Sequence, residues 1–170
     1  MFNALTSLDA IDGAAVVDLF AGTGALGIEA LSRGAARCTF VERDAAARAV
    51  VVRNLEATGL ADRAEVVAGD AERWLRDRAI GDAPAFDLAL LDPPYDYGDW
   101  TALLRTLPAT VAVVETDREL DLPERWRVVR SKRYGTTLVV IARAVDPGAD
   151  GGHQVDDDPG ASPPSRATCS

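Results

Sequence analysis

The sequence predicts an α/β fold: a mostly parallel, seven-stranded sheet with helices on both faces and an antiparallel hairpin at its C-terminal end. Three observations predict it. Apolar runs of strand length recur along the chain, segments long enough for helices or crossovers separate the first five, and glycines or acids stand where strands hand over to helices.

The first five runs are Ala15–Phe20, Cys38–Val41, Ala64–Ala68, Leu88–Leu91 and Val111–Glu115. Between the first two, Gly24 to Ser32 reads as a helix with apolar positions at Leu26, Ile28, Ala30 and Leu31, and Gly34 follows where a C-terminal cap would sit. Asp44 is a good N-cap for a second helix running through Val50, Val51 and Leu55 to Thr58, and Gly59 ends it. Ala71 to Arg78 reads as a third, short helix. The hairpin is expected from Trp126–Ser131 and Thr136–Arg143, joined by Lys132-Arg133-Tyr134-Gly135. After Val145 the composition shifts to Gly, Asp, Pro and Ser, which cannot bury enough surface to order itself. The expected organisation is therefore one folded domain at 1–145 and a disordered acidic, Pro/Gly-rich tail at 146–170. A chain of 170 residues, 48% hydrophobic, supports one such core but not two.

Composition also limits the function classes. No apolar run reaches about 18 residues, and Met1-Phe2-Asn3-Ala4-Leu5 lacks the charged start of a signal peptide, so a cytoplasmic protein without membrane attachment is expected. Cys38 falls in a strand and Cys169 in the tail, which fits reduced thiols rather than a disulfide or a metal site. The single histidine, His153, sits in the tail among polar residues and is expected to be solvated. The net charge of −9 opposes a generally basic nucleic-acid binder. Five aspartates against Arg166 place part of that charge in the tail, so the folded body is less acidic than the chain.

The stretch from Val16 to Gly27, V-V-D-L-F-A-G-T-G-A-L-G, is a strand, a tight glycine turn and a helix start. Glycines let backbone approach a ligand closely, and helix N-terminal amides supply donors. Gly22, Gly24 and Gly27 also satisfy the G-x-G-x-x-G pattern of dinucleotide binders, so the turn alone leaves NAD and S-adenosylmethionine both open. Asp18 favours the second: a carboxylate just before the turn would order the loop and meet the cationic methionine end of the ligand, whereas it would repel a pyrophosphate. Hydride chemistry also lacks a Tyr-x-x-x-Lys pair or a histidine in the folded body. Two further acids end successive strands and face the same crevice: Glu42, suited to the ribose hydroxyls, and Asp70, suited to the adenine amine. Each acid alone is an ordinary cap or solvated carboxylate; three at consecutive strands favour a ligand site.

The most specific signal is Leu91-Asp92-Pro93-Pro94-Tyr95, behind the fourth strand. Two prolines stiffen the loop, restrict the residue before each, and are expected to leave its carbonyls pointing outward and unpaired. An exocyclic amine on a base is a poor nucleophile because its lone pair is delocalised into the ring. If the Asp92 carboxylate and the Pro93 carbonyl each accept one N–H, the nitrogen moves toward tetrahedral geometry and its lone pair can be aimed at a sulfonium methyl. Proximity and stabilisation of the developing cationic amine by Asp92 then carry the reaction, and Tyr95 is placed to stack on an unpaired base.

With these motifs the chain resembles the RsmD-type methyltransferases of small-subunit (16S) ribosomal RNA, which act on a guanine at N2. The resemblance runs from Phe2 to about Arg143 and rests on Phe2-Asn3-Ala4-Leu5, the stretch Asp18 to Ala35, Phe40-Val41-Glu42, Asn54, Leu91 to Tyr95, and Lys132-Arg133-Tyr134-Gly135. The helix Gly27 to Gly34 with Ser32-Arg33-Gly34-Ala35 is its more family-specific piece; the two loops are shared by many methyltransferases. The resemblance implies a Rossmann-like class I methyltransferase fold and S-adenosylmethionine as cofactor. It places cofactor binding at Asp18, Gly22, Gly24, Glu42 and Asp70, with their neighbours Phe20, Thr23, Arg43 and Ala71, and catalysis at Asp92, Pro93, Pro94 and Tyr95. No metal is implied. The implied partner is ribosomal RNA within an assembling small subunit, met by a monomer. Apart from the resemblance, the basic residues Arg130, Lys132 and Arg133 near the hairpin are the best remaining RNA contacts, with a solvated charged turn as an equal alternative. Family members begin with a basic N-terminal segment, and this sequence starts inside the helix that follows it, so a late start at Met1 is expected. The competing expectations are a DNA adenine-N6 methyltransferase, whose target-recognition insertion does not fit in this length, a catalytically silent cofactor-binding module, and an NAD-linked oxidoreductase, which has no use for the Asp-Pro-Pro-Tyr loop.

Overall fold

The structure, a computed structural model, describes residues 1–79, 85–94 and 96–145. The tail expected at 146–170, with His153 and Cys169, lies outside the described residues, and so does Tyr95. Seven strands form one sheet: β1 Ala15–Leu19, β2 Arg37–Glu42, β3 Ala64–Ala68, β4 Phe86–Leu91, β5 Ala109–Thr116, β6 Trp126–Tyr134 and β7 Thr137–Ala144. Their spatial order is β3-β2-β1-β4-β5-β7-β6. The first five are parallel, and β7 runs antiparallel between β5 and β6.

Both faces of this sheet are covered. Helices α1 Phe2–Ser7, α2 Ala25–Ser32 and α3 Ala45–Thr58 contribute Leu5, Leu31, Val51 and Leu55 to a core with Val16, Leu88, Leu90 and Val113. On the other face α4 Ala71–Ala79 and α5 Trp100–Thr106 pack Leu75, Leu103 and Leu104 against Val17, Leu19, Leu91 and Val114. Central β1 is therefore buried at every position, which is why it reads as a continuous apolar run rather than an alternating one.

Two expectations need correction. The hairpin turn is the residue pair Gly135-Thr136, with Gly135 at φ +59°; Lys132, Arg133 and Tyr134 belong to β6. A two-residue hairpin loop with glycine first matches strand twist better than the four-residue connection expected from the sequence. Helix α5 was not expected at all, although Trp100, Leu103, Leu104 and Leu107 follow helical spacing and are all buried.

Close packing of α2 on β2 depends on one glycine. A Cβ at Gly27 would fall 2.7 Å from Phe40 Cζ and 2.8 Å from Cys38 Sγ. Gly27→Val is expected to destabilise the fold by about 3 kcal/mol through overpacking. Urea unfolding checks it: a lower midpoint at unchanged slope is the expected result, and an unchanged midpoint contradicts it.

The strand order reverses between β1 and β4, because β2 and β3 extend to one side and β5 to the other. Chain connections leave a crevice at such a switch point, outside the carboxyl ends of the strands. The loops after β1, β2, β3 and β4 all open there.

Candidate active site

A cavity of about 800 Å³ occupies this crevice. Its wall takes Phe20 and Gly22 from the turn after β1, Glu42 and Arg43 from the end of β2, Asp70 and Ala71 after β3, and Asp92, Pro93 and Pro94 after β4. The glycine turn and the proline loop, more than 60 residues apart in sequence, thus face one space.

The turn is held from two sides. Phe20, Gly22 and Gly24 take φ of +65°, +54° and +80°, so the chain reverses through three left-handed residues, one of them strained because it is not glycine. Glu42 Oε2 accepts the Gly22 N–H at 2.8 Å, and Oε1 accepts the Asp44 N–H at 2.8 Å. Each oxygen keeps a lone pair for a ligand. From outside, Asn54 Nδ2 donates to the Thr23 carbonyl at 3.0 Å, which gives α3 a grip on the turn. Thr23 and Gly24 support this geometry without lining the cavity; Gly24 lies against Val51. Asp70 caps α4, its Oδ1 accepting the Arg73 N–H at 3.1 Å, and also lines the cavity.

Asp18 is placed differently from the expectation. It is buried within β1, its carboxylate accepts the Gly27 N–H at 2.9 Å, and it does not reach the cavity wall. It therefore satisfies an orphan donor of the first turn of α2 and ties that helix to the sheet, rather than meeting a ligand cation. Strand alternation explains the difference: Asp18 shares the face of Val16, toward α2, not the strand end. Burial pushes its pKa up to about 8, against the lowering effect of the Gly27 N–H and with the charges of Asp92 and Glu42 adding to the rise. A carboxyl with a raised folded-state pKa contributes most at low pH, and this contribution falls as pH climbs from the ordinary carboxylate range through about 8. Wild type should therefore lose stability relative to Asp18→Asn between pH 5 and pH 8, as read from urea midpoints of the two proteins. Parallel pH profiles would remove the protonated carboxyl from the account.

Asp92 stands open to the cavity, and partial burial of its carboxyl raises its pKa above the usual range. Among the described residues no hydrogen-bond donor is placed on the Asp92 carboxylate or the Pro93 carbonyl. The Pro94 carbonyl, by contrast, accepts the Tyr97 N–H at 2.9 Å, which corrects the expectation that all carbonyls of this loop point outward unpaired.

Tyr97 is the residue that reading the sequence missed. Its hydroxyl donates to Glu72 Oε1 at 2.9 Å, and its ring meets Phe20 and Trp100 edge-on at 5.3 and 5.1 Å. Burial, followed by the hydrogen bond to Glu72, pushes the phenol pKa upward. Tyr97 thereby locks the proline loop to the glycine turn across the cavity. Its sequence signal was an aromatic just beyond the proline pair and before the buried Trp100. Glu115, at the end of β5, was likewise unassigned; it lines a side cavity of about 90 Å³ together with Asp92, Pro93 and Pro94.

The main cavity is strongly acidic: among the described residues Glu42, Asp44, Asp70, Glu72, Asp92, Asp96 and Asp99 line it against one cation, Arg43. Among the described residues no group of His, Cys, Asp and Glu is arranged to hold a metal ion, and no helix is long and apolar enough to cross a membrane.

Sheet order and cleft together define the Rossmann-like class I methyltransferase fold. The chain belongs to the family described as Conserved hypothetical protein 95, which matches residues 1–143, and within it to the RsmD type. It is 41% identical over 140 residues to YlbH of Bacillus subtilis, covering 76% of each chain. It is 32% identical over 145 residues to ribosomal RNA small subunit methyltransferase D of Escherichia coli, covering 79% of this chain and 70% of that one. Among solved structures, YhhF of Escherichia coli superimposes with a TM-score of 0.73 at 31% identity, covering 84% of this chain and 81% of that one. A conserved hypothetical protein of Streptococcus pyogenes gives 0.70 at 30% identity, covering 84% and 94%.

Proposed function

We propose that the chain transfers a methyl group from S-adenosylmethionine to the exocyclic N2 amine of a guanine in small-subunit ribosomal RNA. The observation that carries this reading is that Asp92 and Pro93 open into the same acidic cavity as Glu42 and Asp70. The donor set fits the cofactor: Glu42 keeps lone pairs for a ribose diol, Asp70 has carboxylate capacity left for an adenine amine, and the excess of carboxylates suits a cation. A pyrophosphate would meet the wrong sign of charge, which disfavours the NAD reading.

When bound, S-adenosylmethionine supplies an electrophilic methyl group on a cationic sulfur. The chain's own residues then have separable tasks. Glu42 and Asp70 orient the nucleoside half, and Phe20 with Tyr97 closes the cavity between the two loops. Asp92 and Pro93 accept the two amine hydrogens, and Asp92 stabilises the positive charge that develops on nitrogen and takes the departing proton. Tyr95 retains its proposed stacking role. Ribosomal RNA as substrate follows the printed names of the relatives, and exposed Arg130, Lys132 and Arg133 on edge strand β6 are its proposed phosphate contacts. We take the substrate to be an assembling small subunit and the enzyme to be a cytoplasmic monomer.

The test is methyl transfer from labelled cofactor to small subunits and their RNA from a strain lacking this gene, with DNA in parallel, followed by nucleoside analysis. N2-methylguanosine in the RNA is expected. N6-methyladenosine, or label in DNA alone, contradicts the reading, and cofactor binding without any transfer leaves a silent binding module.

A further inference from the structure

Glu115 lies beside Asp92 for a reason set by register. Leu91 of β4 pairs with Val114 of β5, so the next residue on each parallel strand, Asp92 and Glu115, stands side by side at the carboxyl edge. Both line the side cavity beside the proline loop, together with Tyr97 and Thr137. Glu115 is half-buried, and among the described residues no hydrogen bond reaches its carboxylate. Lys132 and Val139 continue the same row across β6 and β7. A partly buried acceptor without a donor, adjacent to the acceptor that would hold the amine, is an incomplete pair.

The chemistry that completes it differs among the bases. In guanine the exocyclic amine is flanked by N1–H, a donor. In adenine the amine neighbours N1, an acceptor, and in cytosine it neighbours N3, also an acceptor. Two adjacent carboxylate acceptors therefore match the run of donors on guanine's Watson–Crick edge and meet a lone pair on the other two. We infer that Glu115 is the residue that selects guanine, accepting N1–H while Asp92 and Pro93 hold N2; this rests on the function proposed above. Burial and the charge of Asp92 raise the Glu115 pKa, so the carboxylate gains from a donor that replaces lost water.

The test pairs an enzyme variant with a base variant. The full chain is given labelled cofactor and small-subunit particles reconstituted on RNA that carries either guanine or 2-aminopurine at the methylated position. 2-Aminopurine keeps the 2-amine but has no N1–H. Wild type is expected to favour guanine by about a hundredfold or more in kcat/KM, since a site with an acceptor left unpaired rejects such analogues strongly. Glu115→Ala should shrink that preference to within about tenfold, and Glu115→Gln, which keeps a neutral acceptor, should fall between them. A merely structural role would slow both RNAs alike and leave the ratio unchanged, and an unchanged ratio in both variants overturns the inference. The failure of the underlying reading looks different: wild type then yields no N2-methylguanosine from the guanine RNA, and the inference falls with it.

Discussion

Asp92→Ala lowers the rate of methyl transfer by about a thousandfold, the scale seen when one preorganised group aimed at developing charge is removed. Cofactor affinity should stay within a few fold, because Asp92 acts on the amine and mainly as positive charge appears on nitrogen; kcat and kcat/KM therefore fall together. Asp92→Asn, which keeps an oxygen acceptor but no charge, should be intermediate. The pH profile follows from the same group. Only the ionised carboxylate takes the departing proton and offsets the charge developing on nitrogen, and partial burial raises its pKa, so activity is present above that pKa and is lost on acidification sooner than for an ordinary aspartate. Steady-state kinetics with saturating cofactor checks both statements; turnover unchanged in the alanine variant would take Asp92 out of the chemistry.

Glu42→Ala should weaken cofactor binding by about a hundredfold or more. Two backbone donors, Gly22 N–H and Asp44 N–H, lose a charged acceptor at once, and the nucleoside loses its own. Hydrogen bonds to a charged group contribute roughly 1.5–3 kcal/mol each, and about 1.4 kcal/mol is a tenfold change in affinity. Because the proline loop is untouched, turnover at saturating cofactor should change far less than affinity. Calorimetric titration with S-adenosylhomocysteine separates the two, and an unchanged Kd would show that the turn is held without Glu42.

The parts legible in the sequence were those with local signals. Strands β1, β2, β4 and β5 are apolar runs because helices on both faces bury nearly all their positions, edge strand β3 is only partly covered, and the turn glycines stand where φ is positive. The placement of Glu42, Asp70 and Asp92 in one crevice followed from strand-end position alone. What was misread depends on side-chain direction or on distant partners. Asp18 counted as a strand-end acid, yet it is a within-strand residue whose alternation aims it at α2. Tyr97 acquires its role only through Glu72, Phe20 and Trp100, which the fold brings together. Glu115 gains meaning only from the register of β4 against β5. Helix α5 was overlooked because seven residues are too few for the periodic signal to stand clear of the surrounding loops.

The most direct measurement is a crystal structure of the full chain with S-adenosylhomocysteine. The ribose is expected on Glu42, the adenine beside Asp70, and the sulfur facing the gap between Asp92 and Pro93. A ligand bound with its sulfur turned away from that gap, or seated outside this cavity, would contradict it.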